Sequence, residues 1–252
     1  HQVNVDLRRL SPSVLTLAEV LARSGYSTAA FVSGPYLRAE YGFYQGFDHY
    51  DDYSALTRLD DAAGAVTSPT LWGLVRSWLG DSDCSGRRKP FFVFLHMWDV
   101  HYDYIPPSPY DELYDPGYQR PIRGENVTSS PRIHRQMDSG DLEHLIALYD
   151  GEIRFTDHHL GLLVERLRHL NALDNTIIAI TSDHGEAFFE HGFKTHRHTL
   201  YDDLILVPLV IRYPAKIPAG RLVAPHVRLL DLAPTLLSLA DLQPPRDFGM
   251  TT

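Results

Sequence analysis

Four short apolar runs in the chain have the length of β-strands. The run at 91–95, Phe-Phe-Val-Phe-Leu, is apolar at every position. Such continuous runs are typical of central strands that are buried on both faces of a parallel sheet. The runs at 176–181 and 207–212 resemble it, and the segment at 26–33 is rich in β-branched and aromatic residues. We therefore predict strands at all four positions.

Apolar residues with helical spacing fill most of the intervals between these runs. Thr16 and Glu19 form a capping-box pattern, and Gly25 is placed to end the helix that begins there. Steps of three and four residues predict further helices at 54–79, 139–170 and 229–239. The segments 36–53 and 105–138, rich in Tyr, Gly, Asp and Pro, are predicted to be irregular. Strands separated by helices predict an α/β fold, with a mostly parallel sheet sandwiched between helices in one domain over 1–252.

The composition is that of a folded globular chain with an acidic balance. Of the 252 residues, 44% are hydrophobic, and 23 basic against 32 acidic residues give a net charge of −9. This charge argues against nucleic acid as a partner. No apolar run approaches the roughly 18 residues of a membrane span, and one cysteine excludes an internal disulfide framework. The unusual number is 14 histidines.

Many of these histidines lie just beyond two of the predicted strands, where open parallel sheets bind ligands. His96 and His101 follow the run at 91–95, and the Ser-Asp-His-Gly-Glu motif at 182–186 follows the run at 176–181. Four basic side chains could hydrogen-bond an anion or protonate a leaving group: His101, Lys194, His196 and His198. Each of the four could instead be a surface or loop-packing residue.

Asp183 and His184 are candidate ligands of a divalent cation such as Mn²⁺, Zn²⁺ or Ca²⁺. Adjacent residues of a regular strand point to opposite faces, so both reach one ion only if the chain turns. Gly185 supplies the freedom for such a turn. Two ligands do not complete a site, and further carboxylates must come from elsewhere. The alternative is that the pair forms a turn that caps the following segment.

The order and spacing of these motifs resemble those of the sulfatases, a family of the alkaline-phosphatase-like superfamily. The resemblance covers nearly the whole chain, and its matching segments are 16–33, 42–48, 91–96 with His101, 181–186 with His191, 199–202, 207–211 and 231–237. It implies an alkaline-phosphatase-like α/β fold that hydrolyses sulfate esters, either small molecules or sulfated carbohydrates, with one bound divalent cation.

Within the resemblance, Asp183 and His184 match the family's second pair of metal ligands, and His101 matches its active-site histidine. The residue that contacts the sulfate falls among Lys194, His196 and His198. The resemblance implies Ca²⁺ first. Many sulfatases have asparagine at the position of His184, however, and histidine resembles the phosphonate and phosphate ester hydrolases, so Mn²⁺ and Zn²⁺ remain open.

The nucleophile segment of the family is not found in the 15 residues before Thr16. Sulfatases carry there two metal-binding acids and a Cys or Ser that is oxidised to formylglycine, within Cys-x-Pro-x-Arg or Ser-x-x-x-Arg. Cys84 is followed by Arg88, but Gly86 replaces the proline, which favours an exposed loop cysteine. We therefore predict a fragment that is truncated at the N-terminus and inactive alone toward sulfate esters.

Two alternatives remain open. One is a phosphodiesterase, phosphonate hydrolase or phosphoryl transferase of the same superfamily with a Thr or Ser nucleophile. The other is a non-catalytic relative that acts as a binding or structural protein. Metal binding together with esterase activity would distinguish an enzyme from this last class.

Overall fold

The computed structural model describes residues 9–52, 66–80, 89–243 and 245. The helices in this part of the chain are α1 (Leu17–Arg23), α2 (Ser68–Leu79), α3 (Ser139–His169), α4 (Asp202–Ile205) and α5 (Leu232–Leu239). The strands are β1 (Ser27–Val32), β2 (His49–Asp51), β3 (Phe91–His96), β4 (Ile178–Thr181), β5 (Ala187–Phe188), β6 (Lys194–Thr195) and β7 (Leu209–Arg212).

The strands β2, β1 and β3 form a parallel sheet in the order β2-β1-β3. In β1, the small side chains of Ala29 and Ala30 are completely buried, and Phe31 is 1% exposed. Phe31 packs in one cluster with apolar residues of α2 and with the end of α3, among them Leu71 and Leu167. Helices therefore cover the sheet, and the predicted α/β fold is confirmed.

The capping box predicted at the start of α1 is present. The backbone N–H of Glu19 donates to Thr16 Oγ1 at 3.1 Å, and the N–H of Thr16 donates to Glu19 Oε2 at 2.9 Å. Gly25 follows the helix with a φ of 88°, a left-handed conformation that glycine adopts without strain. The capping box thus fixes the start of α1, and Gly25 ends the helix before β1.

β4 and β7 differ from the prediction of strands buried in a parallel sheet. They pair with each other in an antiparallel sheet, with Thr181 opposite Leu209. Ile180 is 38% exposed and Val210 is 57% exposed, so burial on both faces was wrong for these strands. An apolar run predicts strand formation, but it does not encode the partner or its direction. Here the chain reaches β7 after β5, β6 and α4 and runs back along β4.

Two further predicted segments differ from the structure or lie partly outside its described residues. The predicted loop at 36–53 contains β2, which pairs parallel to β1 through His49, Tyr50 and Asp51; a polar three-residue strand carries no apolar signal. Of the helix predicted at 54–79, the structure describes Ser68–Leu79, and the residues 53–65 lie outside its described part. Cys84 also lies outside the described residues.

The segment 105–138 is irregular, as predicted, and packs against α3. Its buried side chains Ile122, Val127 and Ile133 form a cluster with Tyr104 and with Leu145 of α3. The carboxylate of Asp103 accepts the backbone N–H of Val127 at 2.7 Å. The segment is therefore attached close to the loop that follows β3. In the described part of the chain, no helix has the length and apolar character required to cross a bilayer.

Candidate active site

Three of the predicted histidines converge beyond the carboxyl ends of β3 and β4. His101 lies in the loop after β3, His184 lies three residues after the end of β4, and His196 follows β6. The ring centroids of His101 and His196 are 5.0 Å apart, and those of His184 and His196 are 4.1 Å apart. His196 is therefore the central member of a cluster that we call the histidine cluster, namely His101, His184 and His196.

His101 is held in one orientation and kept neutral. Its ring stacks on Trp98 at 3.9 Å, and Nδ1 lies 2.8 Å from the carbonyl oxygen of Tyr102. Because a carbonyl only accepts, Nδ1 carries the proton and Nε2 presents a lone pair. Burial lowers the pKa of His101 to about 4, and the nearby His196, His184 and Arg197 add to this effect. The imidazole is therefore uncharged at neutral pH and can accept a proton.

His196 is paired with a carboxylate that the sequence analysis did not assign. Its Nδ1 lies 3.1 Å from Glu186 Oε1, and the side chains of His196 and Glu186 are 6% and 5% exposed. A buried carboxylate that accepts Nδ1–H fixes the tautomer and orients the ring. Nε2 of His196 is then available to a ligand. The signal in the sequence is the last residue of the motif at 182–186.

Asp183 and His184 can reach one ion together. Asp183 Oδ2 lies 3.8 Å from His184 Nε2, and the Asp183 side chain is 78% exposed. His184 Nδ1 lies 2.8 Å from the carbonyl oxygen of Gly185, which leaves Nε2 as a possible ligand. Asp183 Oδ1 also accepts the backbone N–H of His184. This local contact is compatible with the alternative in which the pair forms a turn that caps the following segment.

This donor set fits part of a divalent cation site. One carboxylate oxygen and one imidazole nitrogen suit the cations considered above. His96, at the end of β3, adds a buried Nδ1 that has no hydrogen-bond partner within the described residues. Burial lowers the pKa of His96, and the charge of nearby Asp183 opposes this effect. No group of three or more His, Cys, Asp or Glu in the described ranges forms a complete metal site.

Gly185 is required for a reason that differs from the expected one. It is not among the glycines with a positive φ. Instead, its N–H donates to the carbonyl oxygen of Leu204 at 2.8 Å, and a Cβ at this position would lie 2.0 Å from the carbonyl oxygen of Asp203. The absence of a side chain lets the 183–186 loop pack directly on the backbone of α4.

We expect Gly185→Ala to destabilise the chain by about 2 kcal/mol, because the new methyl group must displace backbone atoms. Urea unfolding of the chain measures this loss. Gly161→Ala is the matched control: Gly161 lies within α3 with nothing within 4 Å of its Cβ position, so alanine should stabilise the helix. A Gly185→Ala midpoint equal to that of the wild type would show that the loop adjusts without cost.

The structure does not bring Lys194 and His198 into the histidine cluster. Lys194 Nζ donates to the carbonyl oxygen of Ile133 at 2.7 Å, and burial lowers the pKa of this lysine. His198 stacks on Phe193 with 5.8 Å between ring centroids. Of the four basic candidates, His101 and His196 are therefore the two that lie together.

Arg197 is the basic side chain beside the cluster, and the sequence analysis missed it. Its guanidinium lies over the ring of Tyr36, 5.3 Å from the centroid. Its charge contributes to the lowered pKa of His101, and it opposes the burial that raises the pKa of Tyr102. Thr195 and Arg197 have φ values of 63° and 80°. These left-handed residues end the alternation of β6, so strand spacing does not predict where Arg197 points.

The fold and the position of this site define an alkaline-phosphatase-like α/β protein. A phosphonate monoester hydrolase of Agrobacterium radiobacter aligns with 94% of this chain and 60% of its own, at a TM-score of 0.73 and 22% identity. BT4656 was solved in complex with its substrate D-glucosamine-2-N,6-O-disulfate. The alignment covers 96% of this chain and 64% of the BT4656 chain, with a TM-score of 0.74 and 19% sequence identity.

The chain belongs to the sulfatase family, because the sequence model of the Sulfatase family matches residues 2–242. An ulvan-active sulfatase of Formosa agariphila is 24% identical over 92% of the chain and 47% of its own length. An N-acetylglucosamine-6-O-sulfatase of Bacteroides thetaiotaomicron is 37% identical over 39% of the chain and 18% of its own length. The chain thus spans less than half of these curated relatives. The family implies a divalent metal.

Proposed function

We propose that the protein is a sulfuric ester hydrolase and that this chain supplies a large part of its active site. The observation that carries the proposal is the convergence of His101, His184 and His196 beside Arg197 in a member of the sulfatase family. A guanidinium can bind the oxygens of a sulfate ester, and imidazoles can transfer the protons that its hydrolysis requires.

Arg197 is proposed to bind the sulfuryl oxygens. Its fixed positive charge lies beside His101 and is supported by the ring of Tyr36. A guanidinium offers several N–H donors in one plane, so it can hold an oxyanion and stabilise the charge that develops during the reaction. Arg197, rather than Lys194 or His198, is thus the proposed contact of the anion.

His101 and His196 are proposed to move protons. Cleavage of the S–O ester bond leaves an alkoxide, which must gain a proton. His196 can supply it, since the contact of Nδ1 with Glu186 orients the ring and leaves Nε2 available to the ester. Neutral His101 is suited to accept a hydrogen bond or proton from the attacking group.

Asp183 and His184 would hold the divalent cation, with Ca²⁺ proposed first and Mn²⁺ or Zn²⁺ compatible with the imidazole. A cation bound there would offset negative charge on the sulfuryl oxygens. The proposed nucleophile is a formylglycine, which none of the site residues named here supplies.

The proposed substrate class is a sulfated carbohydrate. It is supported by the names of the relatives, which act on N-acetylglucosamine 6-O-sulfate and on ulvan. The second candidate function, phosphonate or phosphate ester hydrolysis, is supported by the similarity to a phosphonate monoester hydrolase and by the imidazole of His184.

The test is to express the protein from its complete reading frame and to compare kcat/KM for matched aryl sulfate, phosphonate monoester and phosphate diester substrates. We expect the sulfate ester to be preferred. A preference for the phosphonate or the phosphodiester would favour the second candidate. The absence of turnover on all three, in a folded protein that binds no divalent cation, would favour a non-catalytic relative.

The Arg197→Gln protein is expected to lose about a hundredfold in kcat/KM for the aryl sulfate, because a charge-assisted contact to the reacting group is removed. Lys194→Gln is the matched control, since this cation donates to the carbonyl oxygen of Ile133 outside the cluster. Steady-state kinetics of both variants gives the comparison. Equal losses, or a larger loss in Lys194→Gln, would contradict the assignment of Arg197.

A further inference from the structure

A pocket of about 390 Å³ lies in the irregular segment 105–138, and the site described above does not use it. Hydrogen-bond donors dominate its polar lining: Arg123, Asn126, Ser129, Ser130 and Arg132. Glu125 is the acidic residue of the lining. Guanidinium, amide and hydroxyl groups are donors that can bind an oxyanion.

Among the residues that the structure describes, no carboxylate pairs with either arginine of this pocket. Many arginines of the described part form ion pairs with Asp or Glu, namely Arg23, Arg38, Arg120, Arg154, Arg168, Arg212 and Arg228. Within the same described ranges, no such pair is found for Arg123 or Arg132. One Arg123 nitrogen donates to the carbonyl oxygens of Arg120 and Ile122, which fixes the position of its charge. The pocket is therefore locally positive in a chain of net charge −9.

Hydrogen bonds connect pocket residues to the two chain segments that carry His101 and His196. Asp103, two residues after His101, accepts the N–H groups of Asn126 and Val127, at 2.5 and 2.7 Å. Likewise, Lys194, two residues before His196, donates to the carbonyl oxygen of Ile133. The walls of the pocket are thus fixed relative to the chain segments that carry His101 and His196.

We propose that this pocket is a second anion subsite, which binds a sulfate group on a neighbouring sugar while the ester to be cleaved lies at the histidine cluster. The proposal rests on the proposed sulfatase function and narrows its substrate class to saccharides that carry at least two sulfates. Arg132 and Arg123 attract the second sulfate, and Glu125 opposes it. The subsite contributes binding and no chemical step.

Calorimetric titration of the chain tests the subsite without turnover. The probes are a disaccharide with one sulfate on each sugar, the same disaccharide with one sulfate, and inorganic sulfate. We expect Arg132→Gln and Arg123→Gln each to weaken binding of the disulfated probe about fivefold and to leave the monosulfated probe unchanged. Glu125→Gln should tighten binding of the disulfated probe, because a repulsive charge is removed.

Arg154→Gln is the matched control, since this exposed arginine pairs with Asp157 on α3. Urea midpoints verify that each variant is folded. The proposal is overturned if the wild type binds both disaccharides equally, if the pocket variants weaken both probes alike, or if the pocket variants alter binding of inorganic sulfate alone. Failure of the proposed function is a separate result, namely the absence of sulfate ester turnover by the protein from its complete reading frame.

Discussion

The His101→Ala and His184→Ala proteins, expressed from the complete reading frame, are expected to lose at least about a hundredfold in kcat/KM for an aryl sulfate. His101 presents Nε2 toward the cluster, and His184 presents Nε2 beside the carboxylate of Asp183. Removal of either ring takes away a group that touches the reacting ester or its cation. Steady-state kinetics measures the loss.

His198→Ala is the matched control for these two variants. His198 belongs to the same histidine-rich stretch, but it stacks on Phe193 outside the cluster. Its removal should change kcat/KM by no more than about twofold, since isolated surface substitutions have small effects. A loss in His198→Ala as large as that in His184→Ala would show that the cluster is not the reacting centre.

Cation binding separates the two histidine variants from each other. His184→Ala should weaken binding of Ca²⁺ or Mn²⁺ about tenfold or more, because one proposed ligand is removed. His101→Ala should leave this affinity close to that of the wild type. Titration of the chelator-treated protein with each cation measures the difference, and equal affinities in both variants would contradict the proposed role of His184.

Helices and the positions of strands could be predicted from the sequence because their signals are local. Burial of the run 91–95 on both faces was wrong, since β3 is an end strand of the described β2-β1-β3 sheet and its Phe94 is 39% exposed. The run 139–170 became α3 with bounds Ser139–His169, since its apolar residues repeat with the helical period and Asp138 caps its first turn. The partner of a strand could not be predicted in this way. Nothing within 207–212 specifies that β7 pairs antiparallel with β4, because that choice depends on the path of the chain between them.

The candidate site could likewise be predicted only where the signal is local. His101, His184 and His196 could be proposed because they follow strands, where an α/β sheet gathers its functional residues. Glu186 and Arg197 could not be given their places, since the contact of Glu186 with His196 is tertiary and Arg197 lies in a left-handed conformation. The contact of Lys194 with the carbonyl oxygen of Ile133 could not be predicted either, because the two residues are distant in sequence.

A second large effect is expected from Glu152 of α3, whose replacement should change the pH dependence of stability. Glu152 is 3% exposed, and its Oε1 accepts the N–H of Ile105 at 2.9 Å. Burial, together with the negative charge of Asp99, raises the pKa of Glu152 from 4.5 to about 8. The native state therefore keeps this proton at pH 7, whereas the unfolded chain releases it.

The sign of the pH effect follows from this difference. The stabilisation that the protonated Glu152 provides is complete below pH 4.5 and is lost as the pH rises toward about 8. One proton retained by the native state lowers the free energy of unfolding by about 1.4 kcal/mol per pH unit in this window. Above about pH 8 both states are ionised, and the contribution to the slope ends.

Glu152→Gln should remove this slope, because the amide is neutral at every pH and its oxygen can still accept the N–H of Ile105. At pH 8 the variant is expected to be more stable than the wild type by about 4 kcal/mol, and at pH 5 by less than about 1 kcal/mol. Urea unfolding from pH 5 to 8 measures the difference, in which contributions from the histidines cancel. Glu143→Gln, an exposed position on the same helix, is the control. If the wild type and Glu152→Gln differ by the same amount at every pH, Glu152 is ionised in the native protein and the amide of Ile105 is held by a carboxylate.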